Sequence, residues 1–176
     1  MLSPVKNFWL ASVLLSLGLV AIGCHKPIPA VFDTGASGHL NHAQPRLPTI
    51  KLWAGTNALI TEVASTQTQV MTGMMFRESM AENEAMIFVF PYPHQASFYM
   101  KNTILPLSCA YLDNDGTILE IHDLQPKNET AVPAATDRIR FVLETKQGWF
   151  QRHPVGIGTV ISTERGSLLQ TFFRTP

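Results

Sequence analysis

The sequence predicts a mainly β domain, a β-sandwich or barrel with one or two short helices. Three observations predict it. Apolar segments of strand length recur along the chain, turn-forming residues separate them, and only two short stretches favour a helix. Many short strands with few helices are typical of sandwiches and barrels. A length of 176 residues fits one such domain with a buried core of its own.

The predicted strands are short apolar runs bounded by Gly, Pro, Asn or Asp. Pro91 and Pro93 are predicted to end the third strand. Residues 113–116, Asp-Asn-Asp-Gly, supply the left-handed conformations that a hairpin turn needs between the fifth and sixth strands. In order, the predicted strands are residues 50–53, 58–64, 85–90, 97–101, 107–112, 117–122, 138–144 and 158–161.

Two short helices complete the predicted elements. Residues 66–74 lack β alternation, Thr66 is a suitable N-cap, and Gly73 is suited to close the helix. Residues 147–153 are the second candidate. Residues 125–136 are predicted to be a polar loop.

The composition excludes some classes of protein. Thirteen Lys and Arg residues balance thirteen Asp and Glu residues, so no positive field is available for a polyphosphate and no nucleic-acid partner is predicted. An apolar content of 45% argues against a disordered chain. The sequence contains no phosphate loop, no zinc-ligand spacing and no Ser-His-Asp order, so no enzyme class is indicated. No cofactor and no metal site are predicted.

The N-terminus has the features of a bacterial lipoprotein. Residues 1–23 combine a basic start, a short apolar run and small residues, as secretory signal peptides do. The run ends at Ala21-Ile22-Gly23-Cys24, which resembles a lipobox and predicts a lipid anchor on Cys24 in the bacterial cell envelope. His25 stands where Asp would favour the inner membrane, which favours the outer one. The alternatives are an uncleaved anchor helix and a plain signal peptide with a chance cysteine.

The predicted domain boundaries follow from this reading. Residues 24–48 are rich in Pro and Gly and are predicted to be a flexible tether, residues 49–165 the β domain, and residues 166–176 a C-terminal tail. Residues 30–37 match part of the aspartic-protease signature, but the sequence has no second copy and the match is interpreted as chance.

Six sequence blocks occur in the order found in a known family. They are GMMFRE at residues 73–78, AMIFVF at 85–90, SFYMKNT at 97–103, PL at 106–107, DG at 115–116, and VLE at 142–144 followed by Gly148. Together they resemble domain of unknown function family 192, in an exported, lipoprotein-type member. The resemblance covers about residues 50–161 and implies a compact, jelly-roll-like β-sandwich with no established activity.

Three positions depart from the pattern of that family. Tyr99 replaces the usual Trp, and Ala85 replaces the usual Gly. Ser108 replaces the Asp that commonly follows Pro-Leu, which removes a carboxylate. Any role that needs an acid at position 108 is therefore in doubt.

The polar residues of the resemblance form the candidate site. One hypothesis places them in a small polar pocket where Arg or Lys holds an anion or a sugar hydroxyl and Glu144 orients the cations. The alternative is structural: Glu144 pairs with Arg77 or Lys101, and Asn102 and Thr103 satisfy backbone groups of a turn. The predicted ligand-binding residues are Arg77, Phe98, Met100, Lys101, Asn102, Thr103 and Glu144, beside Met75.

Other residues suggest further chemistry. Clustered methionines, with Met71 and Met74 at helical spacing, are a candidate Cu(I) site, although Met also fills irregular cores. Cys109 lies in an apolar strand and is predicted to be a buried, inert thiol. Aromatic residues could form a platform for a sugar or simply pack the core; they are Trp53, Tyr92, His94, Trp149 and Phe150.

The function predicted from the sequence is that of a lipid-anchored binding module of the cell envelope. Its expected partners are the membrane, through Cys24, and a small polar ligand, a glycan or an envelope protein. A Cu(I)-binding envelope protein and an envelope hydrolase are the alternatives. The preference for binding rests on an analogy of fold, because jelly-roll sandwiches often bind ligands.

Overall fold

The computed structural model of the protein describes residues 38–173. The predictions on the signal peptide, on Cys24 and on residues 30–37 lie outside the described residues. The strands are β1 (Thr49–Ala54), β2 (Asn57–Ala64), β3 (Glu84–His94), β4 (Ser97–Phe98), β5 (Leu107–Leu112), β6 (Ile118–Leu124), β7 (Val132–Pro133), β8 (Ile139–Lys146), β9 (Ile161–Thr163) and β10 (Gly166–Ser167). The helices are α1 (Gln67–Thr72), α2 (Trp149–Arg152) and α3 (Leu168–Phe173).

Eight of the strands form one large mixed sheet. Their order is β10-β9-β1-β2-β3-β8-β5-β6, and β4 and β7 form a separate two-stranded sheet. The β2–β3 pair is parallel, with α1 in the connection between them, whereas the other pairs are antiparallel. A bridge from Thr117 to Val160 brings the start of β6 beside β9 without closing the sheet into a barrel. The mainly β class predicted from the sequence is confirmed.

Both faces of the central strands are buried. In β3, Ile87 belongs to a core cluster with Leu143 of β8, while Phe88 belongs to a second cluster with Val142. We call these two sides of the sheet the Ile87 face and the Phe88 face. A strand covered on both sides reads as a continuous apolar run, which is why β3 up to Phe90 and β5 show so little polar alternation in the sequence.

Several predicted element limits differ from the structure. β3 does not stop at Pro91 but continues to His94, with a register shift between Val89 and His94. Prolines are tolerated at such an irregularity because no ladder hydrogen bond is required of them there. Of the strand predicted at residues 97–101, only Ser97–Phe98 is a strand in the structure. The strand predicted at residues 158–161 is found at Ile161–Thr163 instead. β7, β10 and α3 have no counterpart among the predicted strands and helices.

The packed region extends beyond residues 49–165 at both ends. Within the predicted tether, the Gln44 side chain is buried and its Nε2 donates to the backbone oxygens of Gln69 and Gly73. Within the predicted tail, Leu168 and Phe172 of α3 are buried in the core of the Ile87 face. Among residues 38–173, no helix combines the length and the apolar character needed to cross a membrane.

Candidate functional site

A cavity of about 220 Å³ lies on the Phe88 face of the sheet. Its walls come from four segments: α1 with the residues that follow it, the second half of β3, residues 97–103, and Glu144 of β8. Met71 and Tyr99 line it and are 39% and 40% exposed, so they mark its mouth. Glu144 is only 4% exposed and marks its floor.

Local sequence features fix α1 over this cavity. The Thr66 hydroxyl accepts from the Gln69 backbone N–H, and the Gln69 side-chain oxygen accepts from the Thr66 N–H, which is a capping box. The helix ends at Gly73, which has a φ of 47°. A Cβ atom there would lie 3.3 Å from the ring of Phe88, so glycine permits both the turn and the close approach to β3.

Two residues in the left-handed backbone conformation connect the segment after α1 to the 97–103 segment. Phe76 and Asn102 have φ angles of 61° and 55°, and the Phe76 N–H donates to the Asn102 carbonyl at 2.8 Å. Asn adopts this conformation readily, whereas a bulky residue such as Phe does so only where the surroundings enforce it. The bond ties the segment after α1 to the 97–103 turn, and both of these segments contribute walls of the cavity.

The Glu144 carboxyl has no cation beside it. Its Oε2 is buried without a hydrogen-bond partner, and no ion pair reaches it within residues 38–173. In the sheet register Glu144 is flanked by Met86 of β3 and Cys109 of β5, neither of which compensates a charge. Burial therefore raises the pKa of Glu144 to about 8.

Arg77 does not pair with Glu144, which corrects the structural alternative considered for this residue. Its Nη2 donates to Glu62 Oε2 at 3.0 Å and to the Pro45 carbonyl at 3.2 Å. Arg46 Nη1 donates to the other oxygen of Glu62 at 2.8 Å, and the Leu47 N–H donates to Oε2 at 2.7 Å. Glu62 therefore holds both arginines, and Arg77 is not available to bind an anion in the cavity.

Glu62 was not identified from the sequence. It is paired with Met86 in the parallel β2–β3 register, and Met86 is in turn paired with Glu144. The two acids therefore lie in one row on the Phe88 face, roughly 10 Å apart by strand spacing. The available signal was a lone acid within the apolar strand 58–64, a pattern that indicates a buried, paired carboxylate.

The structure brings together only part of the predicted site. Phe98, Thr103 and Glu144 line the cavity, together with Met75. The other four predicted residues do not line it: Arg77, Met100, Lys101 and Asn102.

The residues of the 97–103 segment outside the cavity have structural contacts. Met100 is buried in the core, and its N–H donates to the Asn128 carbonyl. The Thr103 N–H donates to the Met100 carbonyl, and its hydroxyl donates to the Lys101 carbonyl. The Thr103 hydroxyl therefore satisfies a backbone group of the turn, as the structural alternative describes for it, although Thr103 also lines the cavity.

The rest of the lining is largely apolar and aromatic. Three methionines, Met71, Met74 and Met75, come from α1 and the residues after it. His94, at the end of β3, packs its ring edge-on against Phe90 at 4.4 Å between centroids. Of the aromatic platform considered from the sequence, Trp149 and Phe150 are core residues of the Ile87 face, whereas His94 lines the cavity. No Lys or Arg lines it.

Cys109 and Ser108 lie next to each other in β5 but on opposite faces. Cys109 is a free, fully buried thiol, as predicted, and burial raises its pKa. The Ser108 hydroxyl donates to the carboxylate of Asp123 on β6 and accepts from the Gly148 N–H at 2.9 Å. The carboxylate absent from position 108 is thus supplied by the facing strand, away from the cavity.

Comparisons with known proteins agree with the fold and with the sequence blocks. No curated protein matches the chain. A protein described as a candidate transcription regulator from Sinorhizobium meliloti 1021 has a similar structure, with a TM-score of 0.64, 28% identity and coverage of 69% of this chain and 98% of its own. A protein of unknown function from Novosphingobium aromaticivorans DSM 12444 has a TM-score of 0.60 and 30% identity, over 65% of this chain and 83% of its own. The profile of DUF192, described as "Uncharacterized ACR", matches residues 50–163, so the chain belongs to the DUF192 family.

Proposed function

We propose that this protein is a lipid-anchored binding module of the bacterial envelope that holds a small ligand in the cavity on the Phe88 face. The observation that carries the proposal is the buried, unpartnered Oε2 of Glu144 at the cavity floor. Buried polar groups in folded proteins are nearly always hydrogen-bonded, and an unpaired buried carboxyl costs stability. A group kept at that cost in a cavity is suited to a partner that comes from outside the chain.

The shape of the site favours a small molecule over a protein surface. The cavity is concave, apolar over most of its walls, and has a few polar groups, which is the usual form of a small-molecule site. Its volume of about 220 Å³ lies below the range of drug-sized ligands, so a ligand of one ring is the appropriate size.

Methyl NMR of the full chain tests the proposal. Met71, Met74 and Met75 line the cavity, whereas Met80 does not, so the Met80 methyl signal is an internal reference. The probes are glucose, N-acetylglucosamine, benzyl alcohol and benzylamine. We expect at least one of them to shift the three cavity signals and to leave Met80 unchanged.

Two serine variants make this test specific. Ser97 and Ser79 are both exposed, but only Ser97 lines the cavity. Ser97→Trp should block the probe-induced shifts, and Ser79→Trp should preserve them. Silence of the cavity methyls towards all four probes, or shifts that persist in the Ser97→Trp protein, would contradict the proposal.

The anchor has a separate test. The lipobox-like residues 21–24 support acylation of Cys24, and the 14 residues from there to Gly38 would allow the domain to reach about 50 Å from the bilayer at most. Mass spectrometry of protein isolated from its native host should find Cys24 as an acylated N-terminus. An intact N-terminal peptide with no fatty chain on Cys24 would contradict this part of the proposal.

One observation also favours Cu(I) as a second candidate. Met71, Met74 and Met75 line the same cavity, and thioethers are soft ligands that suit this ion. If these methionines bind Cu(I), the protein will remove the ion from its coloured complex with bicinchoninate under anaerobic conditions. The Met71→Leu/Met74→Leu double variant should lose this ability, because Leu keeps the volume but not the sulfur, and Met80→Leu should keep it.

A further inference from the structure

We propose that the ligand of this cavity is an organic cation, a primary or secondary ammonium group on a compact apolar body, with the ammonium bound at Glu144. The inference rests on the function proposed above and names its ligand class. It differs from the anion or sugar hydroxyl that the sequence suggested, because the residues that would bind those groups lie elsewhere.

The charges around the cavity favour a cation. Glu144 is the acid among the lining residues, and the lining includes no Lys or Arg. Arg46 and Arg77 are both held by Glu62, so neither can neutralise Glu144 without breaking a buried pair. An entering ammonium would donate to the Glu144 carboxylate, whose Oε2 has no partner in the chain, and supply the missing charge, an interaction that is strong where water is excluded.

The walls are suited to the body of such a ligand. Phe88, Phe98 and Tyr99 all line the cavity, and the rings of Phe88 and Phe98 meet edge to face with centroids 4.9 Å apart. Aromatic faces attract cations, and the effect grows as the cation loses water. Thr103 and Ser97 also line the cavity, and a hydroxyl oxygen can accept from the remaining N–H groups of the ammonium.

Proton linkage distinguishes a cation from a neutral ligand. An ammonium needs Glu144 ionised, whereas a neutral acceptor needs it protonated so that it can donate. Since burial raises the pKa of Glu144 to about 8, cation affinity should rise with pH up to that value and neutral-ligand affinity should fall.

Other titratable groups lie on the elements around Glu144. Cys109 and Tyr111, on the neighbouring strand, stay protonated in this range because burial raises the pKa of each. His94 and Tyr99 line the cavity from β3 and from the segment after β4. Because an imidazole is part of the lining, the contribution of His94 is tested with a variant of its own.

The experiment compares benzylamine with benzyl alcohol, which has the same ring but no positive charge, by Met methyl NMR on the full chain. Between about pH 6 and pH 8.5, we expect the affinity for benzylamine to increase roughly 70-fold, following ionisation of Glu144. In Glu144→Gln both the tight binding and the pH dependence should disappear, while His94→Gln should keep the pH dependence. A melting curve of each variant shows that it is folded.

The outcomes separate this inference from the function on which it rests. If benzyl alcohol or a sugar binds, but benzylamine does not bind or its affinity does not rise with pH, the cation is wrong but the binding cavity stands. If benzylamine binds equally well to Glu144→Gln, the ammonium is not at this carboxyl and the inference fails. If no probe shifts the cavity methyls, both proposals fail together.

Discussion

Glu62 and Glu144 occupy one row on the Phe88 face, separated by Met86, and differ in what surrounds their carboxylates. Glu62 accepts from two arginines and a backbone N–H, whereas Oε2 of Glu144 accepts from nothing. The sequence identified Glu144 as important but assigned it the partner that belongs to Glu62. Whether Arg77 forms its ion pair with Glu62 or with Glu144 depends on its position in the connection from β2 through α1 to β3. The pattern of apolar residues in the strands does not predict that position.

Replacing Glu144 by Gln should remove a pH dependence of stability. The pKa of the Glu144 carboxyl is about 4.3 in the unfolded chain, and burial raises it to about 8 in the folded chain. The folded chain therefore holds this proton more tightly, so the stabilisation is complete below about pH 4.3 and is lost as the pH rises through about 8. We expect the unfolding free energy of the wild type, relative to that of the variant, to fall by about 1.4 kcal/mol per pH unit within this window. Urea unfolding at several pH values measures it, and parallel curves for the two proteins would contradict the prediction.

Replacing Glu62 by Gln, in contrast, should destabilise the protein. The change leaves Arg77, which is 7% exposed, without its charge partner, and loss of one partner from a buried pair costs about 3 kcal/mol. Glu78→Gln, at an exposed acid near Arg77 in sequence, should cost less than about 0.5 kcal/mol. Denaturant midpoints compare the two variants, and equal midpoints would mean that the pair contributes nothing.

At the scale of elements, α1 was predictable because its signals are local. Thr66 and Gly73 mark its two ends in the sequence and in the structure. The limits of β4 and the continuation of β3 to His94 were not predictable, because both depend on pairing with distant residues, Pro133 for Ser97 and Ile139 for His94. The walls of the cavity come from both kinds of element. The sequence therefore predicted α1 and the strand that carries Glu144, but not the shape of the cavity that they line.

Gly73→Ala should loosen α1 over the cavity. An alanine at this φ is strained, and its Cβ would press on the Phe88 ring, so we expect a loss of about 1–3 kcal/mol. Gly156→Ala is the matched control, because its φ is not positive and a Cβ there meets nothing within 4 Å. Thermal unfolding of both variants tests the prediction, which a Gly73→Ala protein as stable as the control would refute.

For the whole molecule, the family blocks and the apolar runs predicted a mainly β fold but not where the packing ends. The blocks stop before β10 and α3, yet α3 covers the Ile87 face with Leu168 and Phe172. The ring of Phe172 lies 6.0 Å from that of Phe141 on β8, centroid to centroid. Short helices of this kind carry a weak local signal, since most of their stability comes from the surface that they bury.

Leu168→Ala therefore tests whether the last residues belong to the domain. Leu168 is fully buried against strands from both ends of the sheet, near Gly116 and within the cluster of Ile118 and Ile161. Removing three carbons there leaves a cavity in the Ile87 core, and such truncations cost about 2–5 kcal/mol. Arg165→Ala, at an exposed residue three positions before α3, should cost less than about 0.5 kcal/mol. If the tail is dispensable, both variants will have the melting temperature of the wild type. If α3 is an integral part of the domain, only Leu168→Ala will melt at a lower temperature, because the Leu168 side chain completes the core where β6 and β9 meet.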